Sequence, residues 1–314
     1  MMNFRLRLAV FFASAIICFC AAAQESPVKL SYKVNADKSV TFNFDKTDPG
    51  FYTVVLKFDQ LTNAADPGNR KFETRGYSGN ATTLTPTNKD QGIGFSSYSY
   101  SSIRGKLNPK YNAAFVYTLP AKNGARVRAV ESSFVNATYF GNTTPEDWKV
   151  YRFSTKEEDT VTAIRKGVVV EVKDLYDSES VDGVAYTSKI NDLIIEHADG
   201  TLASYRGLKK GSFAVKVGQT VYPGTTLGLN SKSNGGNSYG VSILLMYLKS
   251  ADFENVRNKT MATTKSLYGF ITPHFCTDGN ADAILTSQQE YTASYLPEII
   301  KKEFTKKELK QQVK

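Results

Sequence analysis

The stretch Val217-Gly218-Gln219-Thr220-Val221-Tyr222-Pro223-Gly224-Thr225-Thr226-Leu227-Gly228 narrows sharply what this chain can fold into. Glycines at three turn positions alternate with Val217, Val221 and Leu227. Glycine supplies the positive φ that tight turns need. The apolar residues between the turns therefore face a small barrel interior. Flanking segments read the same way. Val168 to Val172 and Leu193 to His197 are buried-strand candidates, Ala198-Asp199-Gly200 is a turn, and Leu202 to Tyr205 returns from it. Val241 to Leu248 is the last strand of this unit.

Upstream, Val40 to Asp45 alternates apolar and polar, and Tyr52, Val54, Leu56 and Phe58 mark one face of a second strand. Asp48-Pro49-Gly50 and Asp66-Pro67-Gly68 are turns, and Tyr98–Arg104 and Tyr111–Leu119 are further strands. Short strands between turn residues predict a β-sandwich over roughly 26–120, with Pro120 to Gly124 as the connection onward. Beyond 250, Phe270 to Thr277 alternates weakly, Asp278-Gly279 is a turn and Glu290-Tyr291 begins another strand. Pro297 to Lys314 is the one convincing helical stretch. Thr305-Lys306-Lys307-Glu308 has the capping-box pattern, which would divide that stretch into two short helices. The expected architecture is mainly β: an N-terminal β-sandwich (24–120), a small β-barrel or barrel-sandwich hybrid (121–250), then trailing strands and a short basic helical tail (251–314).

Residues 1–23 read as a signal peptide. Arg5 and Arg7 precede an apolar run from Leu8 to Cys20, and Ala21-Ala22-Ala23 offers a cleavage site. The run is shorter than the roughly 20 residues of a membrane span. Export to a periplasm or cell envelope is the expectation. Cleavage leaves Cys276 as the single thiol, so the fold must hold by packing without an internal disulfide. The net charge of +9 becomes +7 once Arg5 and Arg7 are removed, a balance suited either to solubility or to contact with anionic wall polymers. Basic residues are scattered rather than clustered as a nucleic-acid site would require. In the tail, six lysines stand against three glutamates. A solvated face is the simpler reading; the sharper one makes Lys301, Lys302, Lys306, Lys307 and Lys310 a contact for an acidic envelope surface. Asn80, Asn136, Asn142 and Asn258 fit the glycosylation acceptor pattern, which is too common to decide anything.

Only two histidines occur, His197 and His274. A three-histidine zinc site cannot be assembled, and three cysteines are too few for a Cys₄ site. Ser238 and Ser242 flank glycine without a Gly-x-Ser-x-Gly elbow. No phosphate loop occurs, and the Ala198–Thr201 hairpin tip lacks the lysine of a lipoyl carrier.

Val161 to Leu248, 88 of 314 residues, resembles the LytM/lysostaphin family of zinc endopeptidases that cleave peptidoglycan peptides. The matching text is Val161-Thr162-Ala163 with Lys166-Gly167-Val168-Val169, then Asn191, Ile194-Ile195-x-His197-x-Asp199-Gly200-Thr201, Tyr205, Leu208, and the Val217–Gly228 series. Tyr117-x-Leu119-Pro120 and Phe275–Gly279 with Tyr291-Thr292-Ala293 are similar to flanking segments of envelope homologues, where an N-terminal β-sandwich is also usual. The resemblance implies metal ligands where this chain has none. Arg152 stands at the aspartate position, Gly207 at the histidine of Tyr-x-His-Leu, and Gly240 and Ser242 at the closing His-x-His. The simplest spacing puts Trp148 at the first histidine.

The resemblance therefore implies a peptidase-like fold without zinc ligands and without a cofactor, in an envelope protein that binds peptidoglycan or regulates a cell-wall hydrolase. Its groove would be lined by Arg152, Tyr205, Arg206, Asn237, Tyr239 and Ser242. Two alternatives are kept. One is an active zinc endopeptidase with non-standard ligands, for which His274, Cys276 and Asp278 would share a strand face. The other is a structural or adhesive module in which the sandwich is the working part. His197 is expected to be structural.

Overall fold

The computed structural model describes residues 26–65, 70–131, 148–177, 190–232, 238–253 and 267–311. The signal-peptide assignment, Asn237 and the acceptor asparagines Asn136, Asn142 and Asn258 lie outside these residues. Among the described residues no helix is long and apolar enough to cross a membrane.

The first six strands are β1 (Val28–Val34), β2 (Val40–Lys46), β3 (Tyr52–Asp59), β4 (Arg70–Thr74), β5 (Ser78–Leu84) and β6 (Ser97–Arg104). They form two antiparallel three-stranded sheets, β1-β2-β5 and β4-β3-β6. Alternation directs Val40, Phe42 and Phe44 from one sheet and Val54 and Leu56 from the other into shared apolar clusters. This is the face-to-face arrangement of a sandwich.

The remainder comprises β7 (Val116–Thr118), β8 (Arg126–Glu131), β9 (Val150–Thr155), β10 (Thr160–Thr162), β11 (Gly167–Lys173), β12 (Asp192–Glu196) and β13 (Leu202–Arg206). After these come β14 (Thr220–Val221), β15 (Thr226–Leu229), β16 (Ser231–Lys232), β17 (Tyr239–Leu248), β18 (Tyr268–Phe270), β19 (His274–Thr277), β20 (Asn280–Ala283) and β21 (Gln289–Thr292). A ten-stranded sheet runs β14-β11-β12-β13-β17-β9-β8-β21, with β16 and β18 pairing β17. Its inner face carries Leu193, Ile195, Ala203, Tyr205, Val241, Ile243, Tyr151 and Phe153, all buried in the main core.

The mainly β expectation holds, but among the described residues no hydrogen-bonded ladder closes into a barrel. The interior is covered instead by the separate pair β10-β15 and the sheet β20-β19-β7, which contribute Val161, Leu227, Tyr117 and Phe275. The Tyr111–Leu119 segment differs from its sequence reading too. Only Val116–Thr118 is strand. It pairs in parallel with β19, and Phe115, Tyr117 and Leu119 lie in this second core rather than between the sandwich sheets.

The sandwich rests on one end of the sheet's outer face. The backbone N–H of Phe51 donates to Glu196 Oε2 at 2.7 Å, and Arg104 bridges Asp48 at 3.0 Å and Glu171 at 3.1 Å. Tyr268 donates to the Arg104 carbonyl at 2.7 Å, and Gly105, at φ +118°, lies flat enough for Leu248 to approach.

The tail forms α1 (Pro297–Ile300) and α2 (Lys306–Gln311). The Thr305–Glu308 capping box is made in both directions: Thr305 N–H to Glu308 Oε2 at 2.6 Å and Glu308 N–H to Thr305 Oγ1 at 3.3 Å. Glu303 takes a forked pair of bonds from Arg165, and Glu308 accepts from Lys166 and from the Tyr222 hydroxyl, each at 2.7 Å. Glu303 and Glu308 thus face inward, while Glu298 and Lys301, Lys302, Lys306, Lys307 and Lys310 stay exposed.

Candidate functional site

Register assembles the polar residues of the outer face. Asp192 pairs with Arg206, Arg206 with Ser242, and Ser242 with Arg152, across β12, β13, β17 and β9. Directly opposed residues place their Cβ atoms about 5 Å apart, so these four side chains form one row. Two residues along each strand, the same face carries Ile194, Ser204, Leu244 and Val150. Leu244 and Val150 are buried with Phe270 beneath Trp148, Met246 and Tyr268. A charged strip therefore borders an apolar one.

Ser204 Oγ donates to Asp192 Oδ1 at 2.8 Å, whereas Arg206 Nε is 4.0 Å from Asp192 Oδ2. Arg206 Nε is buried and makes no hydrogen bond. Burial pushes the Asp192 carboxyl up to about 6, against the opposing effects of Ser204 and Arg206. Burial likewise lowers the pKa of Arg152.

The two glycines of the row's margin have distinct reasons to be glycine. Gly207 has φ +92°, a conformation that strains any L side chain. Gly240 has ordinary dihedrals but no room. A Cβ there would stand 2.6 Å from the Phe153 carbonyl oxygen and 3.1 Å from Arg152 Nη2. The Arg152 guanidinium thus occupies the space that a side chain at 240 would need.

Of the six expected groove residues, Arg152, Arg206 and Ser242 share the outer face. Asn237 lies outside the described residues. Tyr205 must be corrected. It is fully buried on the opposite face, its hydroxyl accepting from the Ile164 N–H at 2.9 Å, so it is a core residue. Strand alternation also directs Tyr239 to the face opposite Ser242, at the half-buried end of β17. Trp148 packs against Phe270 in a tilted arrangement, with centroids 4.6 Å apart. It is four residues from Arg152, or about 13 Å along an extended chain, and so does not belong beside Gly207 and Gly240. Sequence reasoning passed over Asp192 and Ser204. The available signal was polar residues at alternate positions of otherwise apolar strands.

These residues do not fit a zinc ion. A catalytic zinc site needs three imidazole, thiolate or carboxylate donors, and Arg152, Gly207, Gly240 and Ser242 offer a cation, two hydrogens and a hydroxyl. Among the described residues no group of three histidine, cysteine or acidic side chains is close enough to hold a metal. His274 Nδ1 is 2.6 Å from Asp282 Oδ1, Cys276 is fully buried, and Asp278 follows the end of β19 in the turn. His197 is buried, with Nδ1 2.9 Å from the Lys166 carbonyl. Burial and the nearby Arg165 charge lower its pKa to about 3, so it is a neutral structural residue.

No protein-family model and no curated protein matches the sequence. Among solved structures, the chain is similar to a zinc-containing peptidase from Vibrio cholerae, at 12% identity over 69% of this chain and 74% of that one, with a TM-score of 0.30. It is similar to Helicobacter pylori Csd3 at 12% identity over 70% and 66%, with a TM-score of 0.27. It is also similar to a chain of the SpoIIQ–SpoIIIAH pore-forming complex at 17% identity over 43% and 85%, with a TM-score of 0.28.

Proposed function

We propose that this chain is a peptidase-like protein of a bacterial envelope that binds without cleaving. It would hold peptidoglycan, or position a cell-wall hydrolase, through the outer face bearing Arg152, Arg206 and Ser242. The observation that carries this reading is the Arg152 guanidinium in the side-chain space of Gly240. A fixed positive charge lies where the resemblance calls for metal ligands, and it opposes a metal cation rather than replacing one. The exposed lysines of the tail would add contact with anionic wall polymer.

Purified mature protein is expected to contain no stoichiometric zinc by elemental analysis, to release no muropeptides, and to pellet with purified sacculi. Stoichiometric zinc together with muropeptide release would overturn the reading in favour of an enzyme. Failure to pellet would remove the binding role.

A further inference from the structure

We infer that the open half of the β1 edge, at Tyr32 and Val34, accepts an added β-strand. Its occupant is an extended segment of a partner protein in which apolar residues alternate with glutamate or aspartate. This goes beyond the reading above, because it concerns the sandwich and not the outer face of the large sheet.

The backbone gives the first reason. β1 is an outer strand of its sheet and pairs with β2 along its whole length. The Tyr98 hydroxyl donates to the Leu30 carbonyl at 3.3 Å, and the Tyr100 hydroxyl to the Val28 carbonyl at 3.0 Å. Those carbonyls therefore point away from β2. So do the N–H and C=O groups of Tyr32 and Val34, because antiparallel pairing turns every second residue the same way. Through its tyrosines β6 closes the first half of the edge, but β6 begins at Ser97. Among the described residues no other strand pairs with Tyr32 or Val34 on that side.

The side chains of the same two residues give the second. Val28 is fully buried between the sandwich sheets, whereas Tyr32 is 49% and Val34 59% exposed. Tyr32 is nonetheless held in place. Its ring meets Phe95 and Tyr98 edge-on at 5.3 and 5.9 Å and lies tilted to Phe42 at 5.6 Å. Unpaired main-chain groups and a fixed apolar surface thus coincide. Strand addition uses both, the first for affinity and the second for fit.

Charge selects the occupant. Lys33 lies between Tyr32 and Val34 in sequence, is exposed on the opposite face, and stands across from Thr41, whereas Lys29 faces Asp45. A strand that sets apolar residues over Tyr32 and Val34 must place the residue between them beside Lys33. A carboxylate is favoured there and a cation disfavoured. A second copy fits poorly. Antiparallel self-pairing centred on Lys33 sets that lysine against itself, and centred on Tyr32 it needs the Leu30 carbonyl that Tyr98 already holds.

The test adds two blocked hexapeptides to the full mature protein, one alternating glutamate with valine and the other lysine with valine. Amide chemical shifts and hydrogen exchange are the readouts. The glutamate peptide is expected to shift the Tyr32 and Val34 N–H signals and slow their exchange. It should bind about threefold to tenfold more tightly than the lysine peptide at low salt. Val34→Pro deletes one outward N–H and spares the β1–β2 ladder, so it should abolish this binding in a protein with wild-type circular dichroism. Lys33→Glu should reverse the preference between the peptides. Failure of both peptides to bind overturns the inference, as does equal binding or binding that leaves the Tyr32 and Val34 amides unprotected. So does a folded Val34→Pro variant that keeps its affinity. A dimer of the free protein that Val34→Pro dissolves would overturn the choice of occupant in favour of a second copy. If Val34→Pro fails to fold, the outcome for Lys33→Glu decides: an unreversed preference ends the inference.

Discussion

Arg165 and Arg206 lie in the same half of the molecule in opposite states of completion. The Arg165 side chain, 5% exposed, meets Asp199 at 2.8 Å and Glu303 at 2.7 Å, and its guanidinium carbon lies 3.8 Å from the Phe115 ring centroid. Arg206, 28% exposed, has one acidic neighbour at 4.0 Å and a buried Nε without a bond. A desolvated guanidinium with two carboxylates and an aromatic face is a structural clamp, because its burial cost is met within the fold. A guanidinium held close to, but not bonded with, its neighbour retains donors for something else. The first ties the tail to the core; the second faces the open strip.

The largest effects should fall on the clamp. Arg165→Ala leaves Asp199 and Glu303 without their partner and is expected to cost about 3–5 kcal/mol, read as a fall in denaturation midpoint. Arg206→Ala should cost less than about 1 kcal/mol, as partly exposed pairs do. Equal losses would erase the distinction between the two sites. Gly240→Ala comes next. It must displace the Phe153 carbonyl and the Arg152 guanidinium, and overpacking of this kind costs about 1–3 kcal/mol. An unchanged midpoint would show that the strand yields freely and that Arg152 does not own that space.

Smaller effects sharpen the comparison through pH. Glu308 is held at about 2 by Lys166 and Tyr222, with the Thr305 N–H contributing. A depressed carboxylate stabilises the docked tail above its ordinary value of 4.5 and loses that contribution as pH falls from there toward 2. The amide signals of Thr305 and Glu308 should keep their docked positions down to about pH 4.5 and move below it. Movement already at pH 6 would mean that Glu308 does not hold the tail. The smallest effect belongs to Asp192. Its carboxyl is raised to about 6 from 3.8, so the folded chain binds the extra proton and stability declines as pH rises through that window. Asp192→Asn should therefore raise the melting temperature slightly above pH 6 and leave it unchanged below about pH 4. A lowered melting temperature at pH 7.5 would show that the Asp192 charge is needed by Arg206 and that the row is already paired.

Much of the fold was legible. Alternation in Val40–Asp45, the glycine turns of 217–228 and the Thr305–Glu308 box are local signals, and each forms the element it predicts. Tyr111–Leu119 misled because an apolar strand does not say which sheet will take it. Tyr205 misled for a related reason: its place in a motif suggested a groove, while its parity on β13 set it facing inward. Asp192 and Ser204 were passed over because a single polar residue on an apolar strand looks ordinary until its cross-strand neighbours are known.

By itself the sequence determined that this chain is mainly β, that it holds only two histidines, and that a capping box divides the tail into two short helices. Those properties depend on residue identity and on spacings of a few positions. Only the tertiary structure decided that the sheet stays open and is roofed by smaller sheets, that Arg152 fills the space over Gly240, and that Asp192, Arg206, Ser242 and Arg152 stand in one row. Four strands separated by up to a hundred residues meet there, and the register that aligns them is fixed by the burial of their alternate side chains on the other face.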